Sequence, residues 1–262
     1  MDGIILLFKF MTRFPIFKSS KDNDEELGKS IKYFPVVGIV IGIVLYLFYS
    51  ILNVLFHFNY LIIAAILVSI EIIITGGIHF VGLSVTFDSI FKYRSKQKML
   101  DMMKETTLGA NGVMVLIATI FLKILFISSF IVKEPFIILI MPVISRLNSV
   151  INCAFINGAK NTGKAKLFAD NTSVHELTLS TIITFAYIVI VSIFKLTFEK
   201  YSFYVFFLIL ISPIITVFLG YIYGKWMKIR IGGITGYTLG AVIELSELVF
   251  LFFSYISLMR IK

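Results

Sequence analysis

The chain has a single cysteine, Cys153, among 262 residues, so it can close no disulfide within itself and offers no thiolate set to a metal. Charge is also scarce: Asp, Glu, Lys and Arg make up 15% of the residues, against 58% hydrophobic, and the mean hydropathy is +0.97. A soluble domain of this length cannot shelter so much apolar side chain from water, which leaves lipid as the solvent. Heptads, low-complexity tracts and long tandem repeats are missing as well. No small-residue cleavage site follows the apolar run Ile4 to Met11, which is broken by Lys9 and followed by Arg13 and Pro15. That opening segment is predicted to be a short interfacial helix and not a signal peptide.

What is there is a series of apolar stretches. About 20 residues at 1.5 Å rise are needed to cross a ~30 Å hydrocarbon layer. Seven stretches qualify: Tyr33 to Phe56, Tyr60 to Phe80, Gly112 to Val132, Pro135 to Ile156, Thr178 to Phe198, Ser202 to Gly224 and Tyr237 to Leu258. The prediction is an all-α polytopic transmembrane bundle of about seven spans, a single integral membrane domain over residues 1–262. The connections leave no room for a soluble domain.

The net charge of +9 could point to nucleic acid, but its placement argues for a membrane. With the N-terminus inside, seventeen of the 24 basic residues fall on one side: Lys9, Arg13, Lys18, Lys21, Lys29 and Lys32, then Lys92, Arg94, Lys96, Lys98 and Lys104, then Lys160, Lys164 and Lys166, then Lys225, Lys228 and Arg230. The other side holds Lys133, Lys200, Arg260 and Lys262. The positive-inside rule therefore sets the N-terminus and long loops in the cytoplasm of a cell membrane and the C-terminus outside. The outer connections are tiny: His57 to Asn59, Lys133 with Glu134, and Glu199 to Tyr201. The inner ones are long, Val81 to Asn111, Asn157 to Val174 and Lys225 to Gly236, and chemistry that needs polar groups is expected there. Between Ser84 and Thr107, apolar residues at helical spacing among basic side chains predict helices lying on the membrane surface, in contact with anionic lipid.

Ionisable groups at mid-membrane cost about 2.5 to 3.5 kcal/mol each on insertion scales, so each needs a partner or a purpose. Five stand out: Glu71, Lys123, Arg146, Glu244 and Glu247. The three-residue spacing of Glu244 and Glu247 puts both carboxylates on one helix face, able to hold a cation or one basic partner. Glu71 with Lys123 reads equally as an orienting ion pair. Two glycine-rich stretches mark inner ends of spans, Thr75-Gly76-Gly77-Ile78-His79 and Gly232-Gly233-Ile234-Thr235-Gly236-Tyr237-Thr238-Leu239-Gly240-Ala241. Glycine lets backbone amides approach a phosphate, and the second stretch feeds a helix N-terminus. Close helix packing is the competing use of the same residues. His175 and Trp226 carry no motif and are assigned interfacial roles.

Several segments, in order along nearly the whole chain, resemble the cobalamin synthase family, the adenosylcobinamide-GDP ribazoletransferases. Thr12-Arg13-Phe14-Pro15 is similar to the family's opening signature, followed by Tyr33-Phe34-Pro35-Val36-Val37-Gly38 with Gly42. Thr75-Gly76-Gly77-Ile78-His79 resembles the stretch before its acidic motif, and Met99 to Glu105 with Gly109 and Gly112 the segment after it. Ser145-Arg146 sits where the family has Gly-Arg, and Gly233-Ile234-Thr235-Gly236, Thr238-Leu239-Gly240-Ala241 and Glu244 match its C-terminal block. The resemblance implies a magnesium-dependent transferase that joins α-ribazole, or its 5'-phosphate, to GDP-activated cobinamide and releases GMP. The implied substrates are corrinoid-GDP and α-ribazole, with other corrinoid-assembly proteins as possible partners and no nucleic acid. The implied catalytic residues are Asp88, Lys104, Arg146 and His79. Gly76, Gly77, Gly233, Gly236 and Thr238 would bind the substrate phosphates, and Asp88, Glu244 and Glu247 would hold Mg²⁺.

The sequence departs from that family at its acids. The acidic motif, approximately His-x-Asp-Gly-x-x-Asp-x-x-Asp-Gly, is here His79 to Ser89, in which only Asp88 remains. Val81, Val85 and Ser89 replace the other aspartates and the glycine, Tyr237 replaces a further aspartate, and Thr107 replaces a basic residue. Valine cannot ligate magnesium. Four readings compete: a transferase that holds its metal with fewer ligands, a non-catalytic paralogue, a CDP-alcohol-type phosphotransferase without its paired aspartates, and a small transporter lined by the intramembrane charges. The orientation is checked by cysteine labelling in a Cys153→Ser background. His57→Cys is expected to react with an impermeant maleimide on intact cells, and Lys98→Cys only after permeabilisation.

Overall fold

The computed structural model describes residues 2–14, 23–105, 108–160, 162–198 and 203–259. The expectations on Pro15, Lys18, Lys21, Thr107, Glu199 to Ser202, Arg260 and Lys262 fall outside the described residues. Among the described residues twelve α-helices follow in order: α1 Asp2–Met11, α2 Asp24–Lys29, α3 Phe34–Val54, α4 Tyr60–Thr75, α5 Ile78–Lys92, α6 Lys96–Glu105, α7 Ala110–Phe130, α8 Ile137–Phe155, α9 Lys164–Asp170, α10 Val174–Phe198, α11 Phe203–Ile231 and α12 Gly236–Met259. A 3-10 turn, Ser30–Tyr33, leads into α3. The all-α membrane bundle is borne out: among the described residues six helices are long and apolar enough to cross a bilayer, and the bent pair α4 with α5 supplies up to a seventh span.

The centre of the bundle is α8, nearly every residue of which is buried. It can be central because its neighbours come unusually close. Gly38 and Gly42 of α3 lie against the backbone of Leu139, Pro142 and Val143, where any Cβ would collide. On another side, Gly220 and Gly224 of α11 accommodate the side chains of Asn148 and Asn152. Asn148 Nδ2 donates to the Thr216 carbonyl at 2.9 Å and to Ser246 Oγ at 2.7 Å, and Asn152 Nδ2 donates to the Gly220 carbonyl at 3.1 Å. In lipid there is no hydrophobic force between helices, so small residues and interhelical hydrogen bonds of this kind hold them together.

The second span is shorter than the hydropathy implied. Gly76 and Gly77 both adopt left-handed backbone, φ +63° and +68°. Their N–H groups donate to the Ile73 and Ile72 carbonyls, closing α4 at Thr75. The chain then turns by 92° into α5. His79 therefore belongs to α5 and not to the end of the preceding span. Arg13 covers the break: its N–H donates to the Ile74 carbonyl at 2.6 Å and its side chain lies over Gly76. The two separated motifs Thr12-Arg13-Phe14 and Thr75-Gly76-Gly77 thus form one joint.

The stretch read as surface helices divides. α6 is amphipathic and peripheral, but its Met99, Leu100 and Met103 pack on Tyr223, Met227 and Ile231 of α11. α5 is mostly buried. Gly82 meets Gly240 of α12 backbone to backbone, and Gly112 of α7 lies against the Ser84 carbonyl. The long basic segments gather at one end of the bundle, called the basic end below. There Ala159 N–H donates to the Ile234 carbonyl and Ile234 N–H to the Asn157 carbonyl, tying the loop after α8 to the loop before α12. At the opposite end Lys195 and Glu134 form a buried ion pair.

Replacing Gly42 by Leu is expected to separate α3 from α8 at a cost of about 3 kcal/mol or more. The volume-conserving Ile43→Leu, on the exposed face of the same helix, is expected to be neutral. Thermal unfolding in detergent distinguishes them.

Candidate functional site

Four helices deliver the intramembrane charges to one point. Lys123 Nζ of α7 lies 2.8 Å from Glu71 Oε2 of α4, 3.1 Å from Glu244 Oε2 and 2.5 Å from Glu247 Oε2 of α12. The second oxygen of Glu247 accepts from Arg146 Nη1 and, at 2.9 Å, from Ser145 Oγ, both on α8. None of these charged side chains is more than 2% exposed. The Phe80 ring of α5 closes one side, its centroid 5.1 Å from the ammonium. Withdrawing ions from water costs several kcal/mol each, so such a group persists only when each charge is met by its opposite. Of the two uses open to Glu244 and Glu247, cation holding or sharing one basic partner, the structure displays the second. Lys123 stands where a metal between the carboxylates would have to stand. Glu71 Oε1 and the Nε and Nη2 of Arg146 are buried without hydrogen-bond partners.

Asp88 is elsewhere. Its Oδ1 accepts the Gly112 N–H at 3.3 Å in the first turn of α7, and Gly109, just before that helix, abuts the carboxylate. A carboxylate there complements the orphan amides and the positive end of the helix. Lys123 lies eleven positions further along α7, about 16 Å at 1.5 Å per residue. Asp88 and the two glutamates are therefore not brought together. Val85 is buried in an apolar cluster with Leu83, Ile90 and Met99, whereas Val81 is exposed. Among the described residues no three acids, histidines or cysteines converge as a metal site. Asp88 keeps one orphaned oxygen, Oδ2, with valines in place of its partners, and the glutamates are occupied by Lys123. The residues present do not fit a resident magnesium ion.

The third locality is the mouth at the basic end, where α12 begins. Thr235 and Thr238 cap that helix reciprocally: Thr235 N–H donates to Thr238 Oγ1 at 2.8 Å, and Thr238 N–H to Thr235 Oγ1 at 3.2 Å. Thr238, expected to contact phosphate, is buried and engaged in this cap. Gly233 gives the close approach to Asn157 and Ala159, while Gly76 and Gly77 end α4. Gly236 alone of the expected glycines faces open space. It lines a narrow cleft together with His79, Ser149, Lys164 and aromatic residues of α1, α3 and α9. His79 is buried there, and its Nε2 has no hydrogen-bond partner among the described residues.

Lys104 lies at the surface of α6, paired with Asp101 at 2.7 Å, whereas Arg146 is buried in α8. With Gln97 it holds the Asp101 carboxyl below its usual range. Lysines at 160, 164 and 166, counted in the sequence only for their charge, border the mouth beside Gly236. The signal that could have drawn notice to them is the glycine- and lysine-rich run Gly158 to Lys166, which meets the α12 start beside the Ile234 bridge.

A family model described as cobalamin-5-phosphate synthase matches residues 3–255. Among curated relatives, the adenosylcobinamide-GDP ribazoletransferase of Fusobacterium nucleatum is 39% identical, with 96% of each chain covered. That of Clostridioides difficile is 37% identical over 98% of each, and that of Thermoanaerobacter sp. 35% identical over 94% of this chain and 93% of the other. No solved structure matches.

Lys123→Met leaves three buried carboxylates facing only Arg146. It is expected to cost about 3 to 5 kcal/mol, seen as a sharp fall in Tm or loss of folded protein. Glu71→Gln removes surplus negative charge and is expected to change Tm far less. Adding Glu71→Gln and Glu244→Gln to Lys123→Met is expected to recover much of the loss.

Proposed function

We infer the reaction from the family to which this chain belongs, the cobalamin-5-phosphate synthases, and propose that it acts as an adenosylcobinamide-GDP ribazoletransferase. A hydroxyl of α-ribazole, or of its 5'-phosphate, attacks the phosphorus that carries the cobinamide. The new O–P bond forms as the bond to GMP breaks, the hydroxyl proton passes to a base, and GMP departs with the bonding electrons. Little covalent work falls to the protein in such a transfer, so positioning and neutralisation of charge on the phosphoryl oxygens dominate. The observation that carries the reading is the agreement with family and relatives over nearly the whole chain.

In this reading the cleft at the start of α12 is the reaction site. His79, with its unpartnered Nε2, takes the hydroxyl proton. The guanidinium of Arg146, anchored on Glu247 through Nη1 with its other nitrogens unpaired, supplies positive charge behind it. Lys104 and Asp88 act from outside that cleft, through the basic surface and the α7 cap. The expected magnesium would enter as the counter-ion of the substrate's own phosphates and neutralise their charge. The domain sits in the cell membrane with its basic end in the cytoplasm, where a GDP-activated substrate is available.

The non-catalytic reading has one specific observation behind it: two acids of the motif are valines, one of them buried in the core. Turnover decides. Protein in nanodiscs, given adenosylcobinamide-GDP and α-ribazole with Mg²⁺, is expected to release GMP and form cobalamin. His79→Ala is expected to lower the rate by about a hundredfold or more without lowering Tm. No product from folded protein, under conditions where the Fusobacterium relative turns over, would establish the non-catalytic reading.

A further inference from the structure

We propose that the cavity between the loop following α8 and the first turn of α12 is a diphosphate-binding pocket, the place where this chain grips the phosphates of a nucleoside-diphosphate-activated substrate. The inference rests on the transferase reading for its ligand's identity, and on geometry for its location. The cavity is about 130 Å³, bordered by Lys160, Lys164 and Lys166 on one side and by Thr235 and Gly236 on the other.

Three features make it an anion site. First, the α12 helix presents amide groups there: the Thr235 and Thr238 cap consumes two N–H groups of the turn, and those of Gly236 and Tyr237 have no acceptor among the described residues. Amides at a helix N-terminus favour a bound anion. Beyond its chain neighbours and its own helix backbone, nothing among the described residues lies within 4 Å of where a Gly236 Cβ would stand, so a phosphate can approach the backbone. Second, the lysines are incompletely neutralised. Lys164 pairs with Asp24 at 2.5 Å and Lys166 with Asp170 at 2.8 Å. Lys160 has no ion pair among the described residues, and partial burial together with the Lys104 charge shifts its ammonium below the usual lysine range. An anion relieves that crowding.

Third, the pocket leads inward. Lys164, Ala165 and Gly236 border both this cavity and the narrow cleft that His79 lines. His79 is 5% exposed and its Nε2 is unpartnered. A buried imidazole with an idle nitrogen is costly unless a ligand completes it. A phosphate chain lying along the mouth would bring its inner end toward that nitrogen.

The test uses full-length protein in nanodiscs of zwitterionic lipid and inorganic pyrophosphate as the probe, followed by calorimetry. Pyrophosphate is expected to bind with about one equivalent, to be displaced by GDP, and to lose tenfold or more in affinity in Lys160→Ala and in the double variant Lys160→Ala/Lys166→Ala. Lys29→Gln, a basic residue elsewhere on the same end, is the control and is expected to bind as the parent does. Unchanged pyrophosphate affinity in the lysine variants overturns the pocket. So does a change confined to binding of anionic phosphatidylglycerol vesicles, which would assign the lysines to lipid. A parallel turnover assay separates the two claims. Lost pyrophosphate binding in a protein that never forms cobalamin leaves the pocket standing and removes ribazole transfer. Normal turnover with unaltered pyrophosphate binding in the variants removes the pocket alone.

Discussion

The ammonium of Lys123 is the fixed point on which the rest of the bundle depends. It draws Glu71 of α4 and Glu244 and Glu247 of α12 to within 3.1 Å of one atom on α7, and Glu247 passes the link to Arg146 on α8. Hydrocarbon gives these charges no alternative partner, so the four helices that carry them cannot separate or rotate independently. Glycine contacts then set how closely the remaining helices approach α8, and the Asn148 and Asn152 hydrogen bonds fix their register.

This arrangement bears on the chemistry. The membrane carboxylates of this chain are bound to a covalently attached cation, the Lys123 ammonium. Asp88, the one acid retained from the motif, complements the α7 N-terminus through Gly112. Among the described residues, unpartnered nitrogens lie elsewhere: His79 Nε2 at the cleft and two nitrogens of Arg146; the mouth at α12 is bordered by lysines.

Much of this was legible in the sequence. Hydropathy located the membrane helices, and the three-residue spacing put Glu244 and Glu247 on one face, but it left open whether a metal or a basic side chain would lie between them, and the resemblance assigned them to Mg²⁺. Their convergence with Glu71 on Lys123 was not legible, because it joins residues 52 to 124 positions apart through helix packing that no local pattern encodes. The Gly76-Gly77 pair was visible, but hydropathy cannot register left-handed backbone, and so the second span seemed to run to Phe80 when it stops at Thr75. Likewise Asp88 read as a ligand by motif position, while its contact with Gly112 depends on how α5 lies across α7. The lysines after α8 meet α12 where Ala159 and Ile234 bridge two loops far apart in the sequence.

The central claim is that the cation among the membrane carboxylates is Lys123 itself. A high-resolution cryo-electron microscopy map of the protein in nanodiscs with millimolar Mn²⁺ tests it directly. The account predicts continuous side-chain density from α7 to the three glutamates with no separate peak between them. An isolated metal peak between Glu244 and Glu247, with Lys123 turned away, would contradict it.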